Sequence, residues 1–285
     1  CPLKCRWCSN PESQNPAIEP GVYSSKCISM DKCGLCIKAC RQQVLLFAGE
    51  SIAGIDRSRC IGCMKCAAVC PAEAVRAWGE KMSLDEVMAV IEKDRAFYEK
   101  SGGGVTVSGG EPLVQKDFTR SILKACCETG IHTCLESTFC TDWETVEAAA
   151  EYADLLISDI KHMDSEIHKE YTGAGNEKIL ANLKRLAACG HDMILRIPVI
   201  PGINDDMENI IKTADYIEDN IGDRLRVLQL LSFMRMGEEK CLSLGRTYEM
   251  DSLEFDREEF QQRVEDIAAY FNSRRIHCTV GTAQS

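Results

Sequence analysis

The sequence lacks any apolar run close to the roughly 18 to 20 residues of a membrane span, and it shows no signal peptide. It also lacks a long Lys/Arg cluster, and its formal net charge of -11 disfavours a nucleic-acid surface, which would be basic. No GxGxxG segment follows the first predicted strand, which disfavours a dinucleotide-binding fold. With 20 Gly and 8 Pro in 285 residues the composition is not low-complexity, and the length suits one large domain, with or without a small insert.

Cysteine, in contrast, is abundant: the chain holds 18, and eleven of them lie within the first seventy residues. Disulfide-dense chains are usually short and secreted, whereas this chain has long amphipathic segments that supply a large core. The early cysteines also lie two or three residues apart in runs. That spacing favours metal ligation over disulfide bonding.

Two regimes follow one another along the chain. Residues 1–78 are rich in Cys, Pro and Gly and show little periodicity, whereas helical and short apolar segments alternate after Met82. Strands are predicted at "GVTVSG", "HTCLES", "DLLISDIK", "MILRIPVI", "RVLQLLSF" and "HCTVG". Repeated strand–helix units imply a mostly parallel sheet with helices outside it, either barrel-like or doubly wound.

Amphipathic helices are predicted between these strands. Two capping boxes are expected at their starts, Ser83 with Glu86 and Thr141 with Glu144. Three helices are expected to end at a glycine, namely Gly102, Gly130 and Gly190.

Polar side chains collect where the predicted strands end. In a barrel of parallel strands the C-terminal strand ends meet at one face and carry the chemistry, so this clustering favours a barrel-type active site. The residues are Ser108, Gly109, Gly110, Glu111, Glu136, Asp159, Lys161 and Arg196.

The segment "CIGCMKCAAVCP" has the bacterial ferredoxin spacing for [4Fe–4S] clusters, in which the fourth cysteine ligates the other cluster. Upstream, "CISMDKCGLCIKAC" supplies four further cysteines, with a longer first gap than usual. The crossed pattern predicts a first cluster on Cys27, Cys33, Cys36 and Cys70. It predicts a second cluster on Cys40, Cys60, Cys63 and Cys66.

A pair of four-cysteine zinc sites is the alternative, but zinc motifs normally present two separated C-x2-C pairs. The insert that holds these runs is therefore interpreted as an electron-relay module. Clusters that serve only as structural staples are the second possibility.

The opening segment "CPLKCRWCSNPE" has three cysteines, Cys1, Cys5 and Cys8. Three thiolates can bind three irons of a four-iron cluster and leave the fourth iron open to an outside ligand. Trp7 could stack on a planar ligand such as adenine. A structural zinc site completed by a distant cysteine is the alternative here.

"CPLKCRWCSNPE" resembles the cluster loop of radical S-adenosylmethionine (SAM) enzymes. Together with the insert, "VTVSGGEP", "LLISDIKHMD", "YTGAGNEKIL", "RIPVIPGIND" and "LLSFMRMGEEK" resemble the glycyl-radical-enzyme activating enzymes, relatives of pyruvate formate-lyase activase. The resemblance implies an α/β fold, a partial (β/α)6 TIM-like barrel with an inserted bacterial ferredoxin-like domain. It assigns residues 1–21 to the cluster loop, 22–77 to the insert and 78–285 to the rest of the barrel.

Relatives carry a barrel strand before the cluster loop. This sequence starts at Cys1, so the first barrel strand is expected to be missing from the chain. A protein that starts at Cys1 is therefore expected to be poorly active.

The resemblance also implies a reaction. A reduced flavodoxin or ferredoxin supplies one electron, SAM is cleaved to methionine and a 5′-deoxyadenosyl radical, and the radical takes a hydrogen from a backbone glycine of a partner glycyl radical enzyme. Three [4Fe–4S] clusters and SAM are the implied cofactors. Because oxygen would destroy an open cluster, an anaerobic bacterial cytoplasm is the expected setting.

The resemblance also indicates which residues of this chain contact SAM. The resemblance implies that Cys1, Cys5 and Cys8 ligate the site cluster, and these three with Lys161 are expected to be catalytic. Lys161 is expected to pair with the SAM carboxylate, while Asp159 accepts from its ammonium group. The other expected SAM contacts are Trp7, Asn10, Ser108, Gly109, Gly110, Glu111 and Arg196.

Two segments depart from the family's pattern. Relatives have an acid, Thr, any residue and Gly where this chain has Glu136, Ser137, Thr138 and Phe139. Glu136 and Ser137 retain the acid and the hydroxyl of that pattern. The binding of a monovalent cation beside the SAM carboxylate therefore remains possible. A SAM-contacting His of relatives is replaced by Met234.

The remaining cysteines and histidines are expected to have packing or solvated roles. Cys126, Cys127, Cys134, Cys189 and Cys278 are predicted to be buried. Two rival functions remain, a radical SAM enzyme acting on a small molecule and a non-catalytic electron-transfer protein. Nucleic-acid modification is disfavoured by the acidic charge.

Overall fold

The structure, a computed structural model, describes residues 1–281. Its strands are β1 (Glu19–Val22), β2 (Leu45–Ala48), β3 (Ser51–Ile55), β4 (Val75–Trp78), β5 (Gly104–Val107), β6 (His132–Glu136), β7 (Leu155–Asp159), β8 (Met193–Val199), β9 (Leu225–Ser232) and β10 (Cys278–Val280). Its α-helices are α1 (Leu35–Ala39), α2 (Lys65–Ala68), α3 (Leu84–Ile91), α4 (Arg95–Ser101), α5 (Lys116–Glu128), α6 (Trp143–Ala150), α7 (Ser165–Thr172), α8 (Glu177–Ala188), α9 (Met207–Asn220), α10 (Glu238–Ser243) and α11 (Arg257–Ser273). None of these helices is long and apolar enough to cross a membrane.

The chain divides into two compact units. The cysteine unit comprises Arg6–Lys81 and Arg235–Ser252. It contains two antiparallel ribbons, β1 with β4 and β2 with β3, around a small core that includes Val44, Ile52 and Val75. Sequence periodicity missed these four strands because each has only four or five residues.

The sheet unit comprises Cys1–Cys5, Met82–Met234 and Leu253–Ser285. Six strands form one sheet in the order β10-β9-β8-β7-β6-β5, and every neighbouring pair is parallel. All six correspond to the predicted strand segments, so the parallel sheet is confirmed. Because the strands are parallel, the residues that follow β5, β6, β7 and β8 lie at the same edge of the sheet.

The helix ends agree with the sequence in part. Ser83 and Glu86 form the predicted capping box, with Glu86 N donating to Ser83 Oγ at 3.3 Å and Ser83 N to Glu86 Oε2 at 2.7 Å. The box predicted at Thr141 is wrong, because α6 begins one residue later with Asp142 as its N-cap. The carbonyl of Thr141 instead accepts a hydrogen bond from Asn182 Nδ2.

Three glycines adopt the left-handed conformation where the sequence expects helices to end. They are Gly102, Gly130 and Gly190, with φ of 67°, 72° and 90°. The first predicted helical segment is two helices, α3 and α4, joined by a short 3-10 turn over Glu92–Asp94. Helices α7 and α10 were not predicted.

Candidate functional site

The insert cysteines line two separate cavities in the cysteine unit. Cys27, Cys33, Cys36 and Cys70 line one, here called the first cavity. Cys40, Cys60, Cys63 and Cys66 line the other, the second cavity. These are the two ligand sets that the crossed ferredoxin pattern predicts, and a space surrounded by four thiols is what a four-iron cluster requires.

The first turns of α1 and α2 explain how neighbouring cysteines reach different cavities. In each case a residue in the left-handed conformation, Gly34 or Met64, precedes the short helix. Each short helix then separates the last cysteine of its run from the preceding ones. Cys40, for example, is the C-cap residue of α1 and lines the second cavity, whereas Cys36 lines the first.

Two buried nitrogens of Arg57 that lack a hydrogen-bond partner in the described part of the chain support a negative group near the second cavity. Within the described residues, Nε and Nη1 of Arg57 are buried and have no hydrogen-bond partner, while Nη2 donates to the Ser243 carbonyl at 3.3 Å. Arg57 is within electrostatic range of Glu19, Cys60 and Cys66. A buried guanidinium normally pairs with an anion, and a thiolate-ligated cluster would supply one.

Two of the insert thiols, one in each cavity, have a raised pKa. Burial raises the pKa of Cys36 and of Cys66, and neighbouring cysteines add to the rise. No cysteine in residues 1–281 forms a disulfide bond. Loading these sites would therefore release protons, as metal binding to thiols generally does.

The opening loop is tightly packed around its third cysteine. A Cβ at Gly237 would lie 2.0 Å from the Cys8 carbonyl oxygen, so only glycine permits this approach of the two backbones. Trp7 is 7% exposed and belongs to the core. Asn10 Oδ1 accepts a hydrogen bond from Lys240 Nζ at 2.6 Å, so its side chain is already engaged in the cysteine unit.

The loop after β5 exposes its backbone, as the resemblance predicts for Ser108, Gly109 and Gly110. Ser108 and Gly109 are exposed, and Gly109 has φ of 141°, a conformation that side chains other than glycine rarely adopt. Glu111, in contrast, is only 8% exposed.

Both oxygens of Glu111 are occupied by protein donors. Oε1 accepts from Leu113 N at 3.0 Å and from Ser137 Oγ at 2.8 Å. Oε2 accepts from Thr138 N at 2.8 Å and from the Thr138 hydroxyl. Glu111 therefore ties the glycine loop to the end of β6, and its expected contact with SAM would have to displace these bonds.

The end of β6 contains a strained, fully buried aromatic residue. Phe139 has φ of 52° although it is not glycine, and its exposure is 0%. Its amide donates to Ser137 Oγ at 2.9 Å, and its carbonyl accepts from Asn182 Nδ2 at 2.9 Å. The sequence singled out Phe139 only as a departure from relatives. The backbone has kept the conformation that suits a glycine.

Asp159 and Lys161 form an ion pair at the end of β7, with Lys161 Nζ 2.5 Å from Asp159 Oδ2. Lys161 is 7% exposed, whereas about a third of the Asp159 side chain is accessible. The two groups that were expected to bind the carboxylate and ammonium ends of one amino acid thus lie together. An incoming zwitterion can exchange its two charges with theirs.

Three buried asparagines hold the segment that carries Lys161, and the sequence missed all three. Asn204 Nδ2 donates to the carbonyls of Lys161 and Pro198, both at 2.8 Å. Asn176 Nδ2 donates to the carbonyls of His162 and Met163, and Asn209 Oδ1 accepts from Met163 N, each at 2.9 Å. We call Asn176, Asn204 and Asn209 the asparagine clamp.

Arg196 lies in the middle of β8 rather than at a strand end as the sequence predicts, and it joins the end of β6 to the middle of β9. Its Nη1 donates to Glu136 Oε1 on β6 at 2.9 Å, and its Nε donates to Gln229 Oε1 on β9 at 3.1 Å. Gln229 is 3% exposed and was not predicted. A polar residue inside an apolar strand was the signal that could have found it.

The other cysteines and histidines mostly have packing roles, except that His132 and His277 line a cavity together with Asp154 and Asp192. Cys126, Cys134 and Cys278 are buried as predicted, and burial raises the pKa of Cys134 to about 11 and of Cys278 to about 12. The prediction was wrong for Cys127 and Cys189, which are exposed because each lies on the outer side of its helix end. His162 and His168 are buried, and burial lowers the pKa of both.

Comparison with known proteins agrees with this arrangement. Residues 57–214 match the radical SAM superfamily, and residues 26–74 match the 4Fe-4S dicluster domain. The chain is similar to the (2S)-3-sulfopropanediol dehydratase activating enzyme of Klebsiella oxytoca, at 51% identity over 285 residues that cover 100% of this chain and 90% of that protein.

Two more distant relatives point to the same family. An isethionate sulfite-lyase activating enzyme of Desulfovibrio desulfuricans (strain ATCC 27774 / DSM 6949 / MB) is 39% identical over 90% of this chain and 82% of its own length. A solved domain of pyruvate-formate lyase-activating enzyme from Bacteroides vulgatus ATCC 8482 matches with a TM-score of 0.52 and 31% identity, covering 63% of this chain and 99% of that domain. The chain belongs to the radical SAM superfamily and, within it, to the activating enzymes of glycyl radical enzymes.

Proposed function

We propose that this protein uses SAM to place a radical on a backbone glycine of a partner glycyl radical enzyme. The observation that carries the proposal is the 51% identity, along the whole chain, with an activating enzyme of that kind. The glycine loop after β5 and the Asp159–Lys161 pair at the end of β7 support it, because they offer an exposed backbone and a pair of opposite charges.

When bound, an iron–sulfur cluster and SAM together supply the 5′-deoxyadenosyl radical that removes the glycine hydrogen. Cys1, Cys5 and Cys8 are the proposed ligands of that cluster. Lys161 pairs with the SAM carboxylate, Asp159 accepts from the ammonium group, and Gly109 presents its backbone to the same end of SAM. Arg196 orients the adenosyl group or the incoming glycine segment.

Two further clusters are proposed for the first and second cavities, giving three in all. Reduced flavodoxin or ferredoxin is the proposed electron donor. A monovalent cation near Glu136 and Ser137, closure of the parallel sheet as a partial (β/α)6 barrel, and an anaerobic cytoplasm complete the proposal.

The proposed client is a glycyl radical enzyme that dehydrates sulfopropanediol, since the activating enzyme of such a protein shares 51% identity with this chain. An isethionate sulfite-lyase is the second candidate, because its activating enzyme shares 39%.

The test is anaerobic incubation of the iron-loaded protein with SAM, a reductant and each purified candidate partner, followed by EPR spectroscopy. We expect a glycyl-radical doublet with the sulfopropanediol dehydratase and a weaker or no doublet with the isethionate enzyme. A partner in which the radical-bearing glycine is replaced by alanine is the matched control and should give no doublet.

Two results would contradict the proposal. The first is the absence of a doublet with every glycyl radical enzyme while a metabolite stimulates SAM cleavage, which would indicate a small-molecule substrate. The second is a cluster EPR signal that SAM does not perturb, which would indicate a plain electron-transfer protein.

A further inference from the structure

The two cluster cavities differ in charge. The residues lining the first cavity include no charged side chain, and Phe47, Ile52 and Val75 are among them. The second cavity is lined by Arg41 and Lys65 and by no acidic residue. Positive charge next to a redox centre stabilises the added electron, so the difference predicts that a cluster in the second cavity is reduced more easily than one in the first.

The second cavity also opens to solvent. Cys63 is exposed, and its neighbour Ile61 is 65% exposed. Arg41 and Lys65 are exposed as well. A third cation, Arg59, is placed beside this opening because its Nη2 donates to the carbonyl of Gln42, another lining residue, at 3.2 Å. We call Arg41, Arg59 and Lys65 the basic rim.

Arg57 does not line the cavity, but it is within electrostatic range of Cys60 and Cys66, and its buried Nε and Nη1 have no hydrogen-bond partner among the described residues. The second cavity therefore has three cations around its mouth and a fourth near two of its cysteines. Two acids offset these charges. Asp56, which accepts hydrogen bonds from the Ser58 amide and hydroxyl, is within electrostatic range of Arg59, and Glu19 is within electrostatic range of Arg57.

The net charges of the segments agree with this local picture. Residues 22–77 contain eight Lys/Arg and four Asp/Glu, a formal charge of +4, whereas the rest of the chain carries -15. Clusters ligated by thiolates would make the net charge of the insert more negative. The loaded insert would still be far less negative than the rest of the chain. An acidic protein that approaches this chain is repelled least at the insert, and least of all at the basic rim.

We propose that the basic rim is the docking site of an acidic one-electron carrier protein and that the cluster of the second cavity is the first to accept its electron. This proposal depends on the proposed function in one respect, because it requires that both clusters of the insert are present. One electron leaves the reduced carrier and enters this cluster, so the carrier is oxidised by one electron and no bond or proton is transferred. The exposed Ile61 supplies an apolar contact beside the charges, as the centre of a docking surface usually does.

The test compares charge removal at the two cavities in the iron-loaded protein. Arg41→Gln with Lys65→Gln removes two charges from the rim, and Lys26→Gln with Lys32→Gln removes two exposed charges next to first-cavity cysteines. The probe is a purified acidic flavodoxin, and its affinity is measured by anaerobic calorimetry at several salt concentrations. We expect the rim variant to bind about tenfold more weakly at low salt, about 1.4 kcal/mol, and the difference to shrink as salt screens the charges.

The control variant should bind flavodoxin within about twofold of the wild type. Arg41→Lys with Lys65→Arg, which keeps both charges, should also bind normally if charge rather than packing is responsible. An equal loss in the rim and control variants, or wild-type affinity in the rim variant, would overturn the docking site.

Reduction of the clusters is followed separately by an EPR-monitored redox titration. Arg57→Gln should lower the potential of the cluster that is reduced first and leave flavodoxin affinity unchanged, whereas Arg57→Lys should restore that potential. An unchanged first potential in Arg57→Gln would contradict the assignment of the second cavity as the first acceptor.

The docking site and the proposed function can fail independently. A glycyl-radical doublet that forms equally well in the wild type and the rim variant at limiting flavodoxin would reject the docking site alone. Rim-dependent flavodoxin binding without a doublet on any partner would reject the proposed function alone.

Discussion

The hydrogen bonds of Glu111 link it to its neighbours at two strand ends. Both oxygens are used by Leu113, Ser137 and Thr138, so Glu111 fixes the glycine loop against the end of β6. A carboxylate suits this position because Glu111 accepts all four hydrogen bonds. The amide of a glutamine would place an NH2 donor where one oxygen of Glu111 accepts two of them.

The first prediction therefore concerns Glu111→Gln. We expect a loss of about 1–3 kcal/mol in unfolding free energy and weaker SAM binding, since a buried donor would be left unpaired. SAM affinity is measured by the change that SAM produces in the cluster EPR signal. If Glu111 acts through Ser137, adding Ser137→Ala should cause little further loss of SAM affinity. Additive losses would assign Glu111 to direct contact with SAM.

Phe139 sets two effects against each other. Its positive φ costs about 1–2 kcal/mol relative to a glycine, whereas deletion of a buried Phe side chain costs about 3–5 kcal/mol. Burial is the larger effect, which explains how a phenylalanine persists in a glycine-like conformation.

The second prediction follows from these magnitudes. Phe139→Gly should destabilise the protein because it removes the side chain, but by about 1 kcal/mol less than Phe139→Ala, which keeps the backbone strain. Anaerobic denaturant unfolding of both variants checks it. Equal losses in the two variants would show that the backbone is not strained at this position.

At the scale of the elements, the asparagine clamp explains how a loop can hold a lysine firmly. The amide of Ile160, the first residue after β7, still donates to the Arg196 carbonyl on β8. Beyond it, side chains from the loop after β8, from α9 and from the start of α8 bind the backbone of Lys161, His162 and Met163. Asn204 is 0% exposed, so each of its bonds is made away from competing water.

The third prediction is that Asn204→Asp lowers SAM affinity at least about tenfold, because the new carboxylate faces the carbonyls of Lys161 and Pro198 without a proton to donate. Asn220→Asp makes the same chemical change at a part-exposed helix end, where Nδ2 donates only to the Tyr216 carbonyl, and should leave SAM affinity unchanged. The clamp acts through Lys161, so Asn204→Asp should add little to the loss caused by Lys161→Met. A full additional loss would contradict that role.

For the molecule as a whole, the sequence predicted what depends on local pattern. All six parallel strands were predicted because runs such as "MILRIPVI" are apolar apart from a single Arg196, as strands buried on both faces nearly are. The two cysteine sets were predicted because their spacing is fixed along the chain. What was missed depends on long-range contacts: Asn204 looks like an ordinary surface polar residue until the fold buries it.

The same distinction explains the opposite outcomes at the two predicted capping boxes. Ser83 caps its helix within four residues, without help from other elements. Thr141 has the same local pattern, but Asn182 of α8 binds the carbonyls of Phe139 and Thr141 and the helix starts one residue later. Tertiary hydrogen bonds decided a boundary that local sequence could not.

The whole-molecule prediction separates the cluster of the opening loop from those of the insert. Cys8→Ala should abolish SAM cleavage with any reductant, since it removes one of three proposed ligands. Cys63→Ala should lose iron from the second cavity, about four of roughly twelve atoms per chain, yet retain SAM cleavage when photoreduced deazaflavin supplies the electron directly. With flavodoxin as the only donor, cleavage by Cys63→Ala should fall at least about tenfold, because the electron has lost its entry point. Iron analysis and methionine release under both reductants check these expectations, and full flavodoxin-driven cleavage in Cys63→Ala would show that the insert is not a required relay.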